Sequence, residues 1–201
     1  MKKILFAVLM AALFVIPAYA FDDILDTTMD LDLKIGVGLG STLEEEEESF
    51  GKVKNDVNMP FAIAADFYYY NPDFQYIALG LGVSNLFSSK IDNKDSDVDT
   101  KIGFTNVYLA VKAKYDMKDY SSFVDNIYLL LNGGYGMVSM DPDDMTVDNG
   151  FYWAAGLGTE IKKHFILEVL YAVNYAKVRD GLDVDLMYSK IMLNVGYKFS
   201  F

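Results

Sequence analysis

The chain has 201 residues, in which 29 acidic side chains outweigh 17 basic ones for a formal charge of −12, so recognition of nucleic-acid phosphates is excluded. It contains no cysteine, which rules out a disulfide scaffold and a thioether-linked lipid anchor. Aromatic residues reach 15%, including 15 tyrosines, yet beyond the N-terminal segment no apolar run is long enough for a transmembrane helix.

The first element is that N-terminal segment. Lys2 and Lys3 precede an apolar run from Ile4 to Ile16, then Pro17 and the small-x-small site Ala18-Tyr19-Ala20. This predicts a secretory signal peptide over residues 1–20, leaving residues 21–201 as a single domain. An exported, aromatic-rich chain has two main options, a secreted β-sandwich or an outer-membrane barrel.

Residues 21–29 form a short acidic leader. From Leu31 to Gly40 the pattern alternates: Leu31, Leu33, Ile35, Val37 and Leu39 share one face, Asp32, Lys34, Gly36, Gly38 and Gly40 the other. Successive strand side chains point to opposite faces, so this is a first strand with one apolar and one polar side. Residues 41–58, with five consecutive glutamates from Glu44 to Glu48, are expected to be a long exposed loop. A second strand, Phe61 to Tyr70, turns Asp66 and Tyr68 inward and ends at the turn Asn71-Pro72-Asp73. A third, Gln75 to Ser84, places Ile77, Leu79, Leu81 and Val83 outside, with Tyr76, Gly80 and Gly82 inside.

A second polar loop, residues 85–103, carries the acidic run Asp92 to Asp99, which lacks the glycine and distal glutamate of an EF-hand. The fourth strand, Asn106 to Tyr115, turns Tyr108, Lys112 and Lys114 inward; the fifth, Ile127 to Met137, does so with Tyr128, Leu130 and Asn132. After a third loop, residues 139–150, the sixth strand (Phe151 to Ile161) sets Tyr152 and Glu160 inward. Lys162-Lys163-His164 makes a turn into the seventh (Phe165 to Tyr175), which carries Glu168 and Asn174 inward. A fourth loop, residues 176–185, leads to Lys190–Phe201. There Ile191, Leu193, Val195, Tyr197, Phe199 and Phe201 oppose Lys190, Met192, Asn194, Gly196, Lys198 and Ser200.

Eight strands joined by alternately long and short connections predict an all-β fold, an eight-stranded antiparallel up-and-down transmembrane β-barrel. A sandwich has no reason to alternate its loop lengths, whereas outer-membrane barrels have short periplasmic turns and long extracellular loops. Aromatic residues fall at strand ends: Phe67, Tyr69, Phe74, Tyr115, Tyr197, Phe199 and Phe201 toward the periplasmic rim, and Phe61, Tyr135, Phe151 and Trp153 toward the outer rim. Two girdles flanking an aliphatic band match a membrane interface.

With these features the chain resembles the small eight-stranded outer-membrane proteins of the OmpA and OmpX type. The resemblance implies a bacterial outer-membrane location and contact with outer-membrane lipids and lipopolysaccharide. It also implies an assembly signal in Tyr197, Phe199 and Phe201, read by the barrel assembly machinery. The closed interior of eight strands is only wide enough for side chains, so Asp32, Lys34, Asp66, Lys112, Lys114, Glu160, Glu168, Lys190 and Lys198 are expected to form a lumen charge network, with Glu168 and Asp32 as counter-charges of Lys190 and Lys198. The inward glycines make room for Tyr68, Tyr76, Tyr108, Tyr128 and Tyr152.

No catalytic, cofactor or metal site is expected. The single histidine, His164, lies in a periplasmic turn, so no Ser-His-acid triad can be built at the outer surface. The Gly-x-Gly pieces at Gly36, Gly80 and Gly156 sit inside strands with no helix following and are not nucleotide loops. The reading is a structural or surface-interaction barrel presenting acidic extracellular loops to an unidentified partner, with no open pore. The alternatives are a narrow channel for small solutes and, behind it, a lipid A-modifying enzyme.

Overall fold

The computed structural model describes residues 28–47, 51–71, 76–92, 100–141, 147–179 and 183–201. The signal segment 1–20, most of the acidic leader, Glu48, the Pro72-Asp73 turn with Phe74, the run 93–99 and the loop 142–146 lie outside the described residues.

Ten strands follow in order: β1 Thr28–Glu47, β2 Gly51–Val57, β3 Phe61–Tyr70, β4 Ile77–Asp92, β5 Lys101–Asp116, β6 Val124–Asp141, β7 Val147–Asp148, β8 Gly150–Ile161, β9 Phe165–Arg179 and β10 Asp183–Ser200. Every pairing is antiparallel, and eight of the strands form a closed ring in the order β1, β3, β4, β5, β6, β8, β9, β10. The eight-stranded barrel expected from the alternation is therefore present. β2 continues the line of β3 between β1 and β4, and β7 pairs with the far end of β9. Closure runs from Asp30 opposite Ser200 to Glu47 opposite Val184, and the backbones of Met29 and Phe201 exchange hydrogen bonds of 3.3 and 2.9 Å. A closed ring leaves the eight strands no free edge, which is what spanning a lipid core demands of a sheet.

The short connections gather at one end, called the lower end below. The β8–β9 turn has positive φ at Lys162 (48°) and Lys163 (68°), with the His164 N–H donating to the Ile161 carbonyl at 3.3 Å. Positive φ at both central residues is the type I′ geometry whose twist matches that of the flanking strands. Around the lower half, outward aliphatics stand exposed in a continuous band that includes Ile35, Leu79, Leu109 (66% exposed), Leu131, Leu157, Val169 and Leu193. A band of this extent is stable only against a non-aqueous surround. It is bordered below by Tyr197, packed on His164, Phe165 and Phe199, and above by the pairs Phe61–Phe87 and Trp153–Tyr171.

Most strands outrun the roughly 10 residues that a membrane strand needs: β1 has 20 residues, β6 and β10 have 18 each. The described parts of the expected loops 41–58, 85–103, 139–150 and 176–185 are thus largely strand. The glutamate run is not a free acidic loop, because Glu44 faces Lys54 across the β1–β2 hairpin (3.2 Å) and Asn55 donates to Glu45 at 3.2 Å. Lack of an apolar period suggested loop, but cross-strand charge pairs and a buried inner face hold the hairpin in β structure.

Above the upper girdle the barrel reverses its polarity. Inside, Leu43, Val57, Leu86, Ile91, Ile102, Phe104, Leu186 and Tyr188 form an apolar core with Val138, Met140, Val178 and Val184 packed on it. Outside stand polar residues such as Lys101, Ser139, Lys177 and Asp185. Two bulges help bring this about. Between Leu39 and Thr42 two residues, Gly40 and Ser41, oppose Lys190 alone, and Gly40 adopts φ +61°. Between Leu86 and Ser89, Phe87 and Ser88 oppose Gly103 alone. One extra residue flips which parity faces in, so Leu39 points outward to the band while Leu43, of the same parity, points into the core.

Candidate functional site in the barrel lumen

Because each strand alternates, every second residue of the lower half projects into the lumen, and the sequence has put charges there. Asp32, Lys34, Asp66, Lys112, Lys114, Glu160, Glu168, Lys190 and Lys198 all lie inside and are buried or nearly so. In the middle layer Lys34 Nζ is ion-paired with Asp66 and donates to Glu168 at 2.9 and 3.1 Å. Glu168 also accepts from the Tyr128 hydroxyl (2.8 Å) and from Asn194 Nδ2 (3.3 Å), so one carboxylate ties β9 to β1, β6 and β10. The Tyr108 hydroxyl donates to Asp66 at 2.6 Å, and Lys112 Nζ donates to Asp32 at 2.5 Å while lying 3.9 Å from the Tyr68 ring centre.

Toward the lower end Glu160 is the second hub. It pairs with Lys198 at 2.6 Å and Lys114 at 2.8 Å, and accepts from Asn126 at 2.8 Å. Asp30 completes this layer, with Lys114 at 3.3 Å, Lys198 at 3.7 Å and the Ser200 hydroxyl at 2.6 Å. Charges removed from water in this way need several partners each, since one contact does not offset the desolvation of two ions. Here the carboxylates Glu160 and Glu168 each have at least three.

The glycines on the lumen face leave volume for this layer. The space over Gly82 is taken by Asp66 and Tyr108, that over Gly158 by Tyr128, that over Gly80 by Tyr68 and that over Gly36 by Asn194. Tyr152 packs against Tyr108 with ring centres 5.3 Å apart and planes tilted by 45°. Tyr76, expected inside, is instead 68% exposed. It precedes the first residue of β4 and lies outside the strand, so the strand's alternation does not govern it.

Higher in the lumen the chemistry changes from ion pairs to amides. Lys190 Nζ donates to Asn174 Oδ1 at 3.1 Å, Asn174 Nδ2 donates to Asn106 Oδ1 at 2.5 Å, and Asn106 Nδ2 donates to the Ser84 hydroxyl at 3.2 Å. A cavity of about 40 Å³ adjoins this chain, walled by Lys190, Ser84, Asn106, Leu86, Leu170 and Met192 among others. Above it the apolar core closes the lumen.

The expected partners of two lysines need correcting. Glu168 is bound by Lys34 and not by Lys190: in the register Glu168 stands opposite Asn194, while Lys190 stands opposite Ala172, four positions up the strand. Lys198 does stand opposite Asp32, yet its ammonium leans to Glu160 and Asp30, and Asp32 is taken by Lys112. Sequence reasoning missed Asp30, assigned next to the leader. The signal was present, because Asp30 continues the parity of Asp32 and Lys34. It also missed the Ser84–Asn106–Asn174 chain, although Asn106 and Asn174 share the inward parity of Tyr108 and Tyr152. Tyr197, Phe199 and Phe201 sit on the outer surface at the lower girdle.

Residues 6–199 match the family described as outer membrane protein beta-barrel domain. No curated protein sequence matches the chain. Among solved structures, the outer membrane protein OprG from Pseudomonas aeruginosa is similar at 12% identity with a TM-score of 0.61, over 87% of this chain and 95% of OprG. Ail, the attachment invasion locus protein of Yersinia pestis, gives 19% identity and a TM-score of 0.44 over 85% of this chain and 98% of Ail. Neisserial surface protein A gives 12% and 0.49 over 84% and 97%. At these identities the OprG likeness concerns the barrel architecture alone.

Proposed function

This chain belongs to the outer membrane protein beta-barrel domain family, and from that premise we propose that it is a closed barrel that acts at the cell surface through its projecting strands, as a structural or surface-interaction protein. It resides in the bacterial outer membrane. The observation that carries the reading is the double stopper in the lumen. Lys112 and Asp32, both fully buried, join with Glu160 and Lys198 in the lower plug, and the apolar core from Leu43 to Tyr188 caps the upper end. An ion crossing this interior has to break buried pairs and then shed its water against Phe104 and Ile102, each step costing several kcal/mol.

What lies beyond the membrane supports the same reading. A β-extension with its own apolar core is held rigid and presents a fixed polar exterior, which lowers the ordering cost of binding a partner. Glu46 on β1 and Asp185 on β10, opposite each other, lie on this face, with Asp185 4.0 Å from Lys177; Asp148, on β7, is paired with Arg179 at 2.7 Å. Outer-membrane lipids and lipopolysaccharide are the partners of the apolar band and its girdles.

The test is conductance. Reconstituted in planar bilayers, the closed barrel is expected to give no steady single-channel current. The alternative of a narrow channel for small solutes has the cavity beside Lys190 in its favour, and reproducible unitary steps would establish it over the closed reading.

A further inference from the structure

We propose that the cavity beside Lys190 is a binding site for a small monovalent anion of halide size. The argument begins with charge. Among the described residues, Lys190 is the one lumen lysine with no carboxylate within 4.0 Å; Lys34, Lys112, Lys114 and Lys198 each have one or more. Its ammonium is buried, with one hydrogen bond to Asn174 and the rings of Tyr188 and Phe104 at 4.7 and 5.7 Å. Aromatic faces stabilise a cation weakly compared with the cost of burying it unpaired.

The hydrogen-bond chain gives the site a direction. A lysine ammonium can only donate, so Asn174 must turn its amide oxygen to Lys190 and its NH₂ to Asn106. Asn106 must then turn its oxygen to Asn174 and its NH₂ to Ser84. The amide oxygens of Asn174 and Asn106 are consumed within the chain, and the Ser84 hydroxyl, having accepted, keeps its proton to donate. Asn194, also on the wall, lays its amide oxygen over Gly36 and gives its NH₂ to Glu168. Lys34, at the lower edge, is committed to Asp66 and Glu168. Tyr108, whose hydroxyl proton goes to Asp66, and Tyr152 complete the polar wall, so the space holds only neutral oxygens and no carboxylate, against two remaining N–H bonds of Lys190 and the O–H of Ser84. That is the chemistry of an anion site.

Size selects the ligand. About 40 Å³ is room for roughly three waters, sufficient for a monatomic anion and its residual hydration and too small for sulfate with its own shell. Leu86, Leu170 and Met192, with Ala62, Ala64 and Ala172, make the rest of the wall apolar. The site is independent of whatever the surface strands bind.

Bromide is the probe. The full-length mature barrel, refolded and crystallised in sodium bromide, is expected to show an anomalous peak in the cavity beside Lys190 Nζ. Raising bromide at constant ionic strength, in exchange for sulfate, is expected to raise the folding equilibrium constant saturably, by about tenfold once bromide is ten times its dissociation constant. Lys190→Met, or Lys190→Gln should the apolar variant not fold, is expected to lose both responses. Water alone in the cavity, bromide only at surface positions, or equal stabilisation by sulfate and bromide would each overturn the proposal, and the wild-type diffraction arm decides even if neither variant folds.

Discussion

Glu168 shows how a single side chain can hold a barrel wall together. It meets Lys34 of β1, Tyr128 of β6 and Asn194 of β10 while fully buried. Glu168→Gln keeps its shape and removes its charge, leaving Lys34 with Asp66 alone. The expected loss is about 1–3 kcal/mol, below the cost of stranding a buried ion because Asp66 still neutralises Lys34, read from urea unfolding of protein refolded into phospholipid vesicles. Changing Lys34 and Glu168 together to Met is expected to cost more than Glu168→Gln, because removing Lys34 strips the buried Asp66 of its cation and leaves it with the Tyr108 hydroxyl alone; a double variant as stable as the single one would show that Asp66 does not depend on Lys34. At this scale the sequence told which residues enter the lower lumen, since alternation decides that along each strand up to its bulge. It did not tell which lysine meets which acid. Partner choice depends on the lean of long side chains across tilted strands, and so Lys198, opposite Asp32 in the register, reaches Glu160.

Among the elements, β1 carries the clearest case of backbone deciding side-chain environment. Odd residues from Leu31 to Leu39 face outward and Leu43, also odd, faces in, because Gly40 and Ser41 share one partner position. A Cβ built on Gly40 meets nothing within 4 Å, so steric clash with neighbours is no obstacle to a larger residue there. Its φ of +61° is the obstacle. Gly40→Ala is expected to lower stability by about 1–2 kcal/mol, the cost of a left-handed L-residue, and Gly40→Asn, which tolerates that region better, to lower it less. Equal losses in the two variants would mean that space, not φ, constrains the bulge. Leu43 is worth about 2 kcal/mol of burial, so the bulge is held in place by the core it creates. The sequence displayed Leu43 within an otherwise acidic stretch. Without the bulge its parity placed it on the outer face, and the hairpin was read as loop.

At the scale of the whole molecule, strand count, closure and the lipid-facing band were legible because they rest on period-two alternation and on the placement of Gly and aromatic residues, signals local to each strand. The reversal of polarity above the girdle was not, because it joins residues of seven strands, from Leu43 of β1 to Leu186 of β10, that become neighbours only once the ring is closed.

The lower girdle brings local pattern and whole-molecule behaviour together. Tyr197 and Phe199 lie on the outer face of β10 with ring centres 4.8 Å apart, Tyr197 also meets His164 and Phe165, and Phe201 follows the last residue of the strand. Phe199 and Phe201 remain largely exposed, and the backbone of Phe201 closes the ring onto Met29. Side chains that present this much of their surface outside the barrel suit an interfacial anchor, and the assembly role expected of them is open to a direct test. Changing Phe199 and Phe201 together to Ser leaves the Phe201 backbone bonds possible and removes the aromatic faces. Folding into detergent micelles is expected to proceed near the wild-type yield, while the amount recovered in the outer membrane of living cells falls several-fold. A parallel fall in both would assign these residues to packing alone, and an undiminished outer-membrane yield would remove the assembly role from this strand.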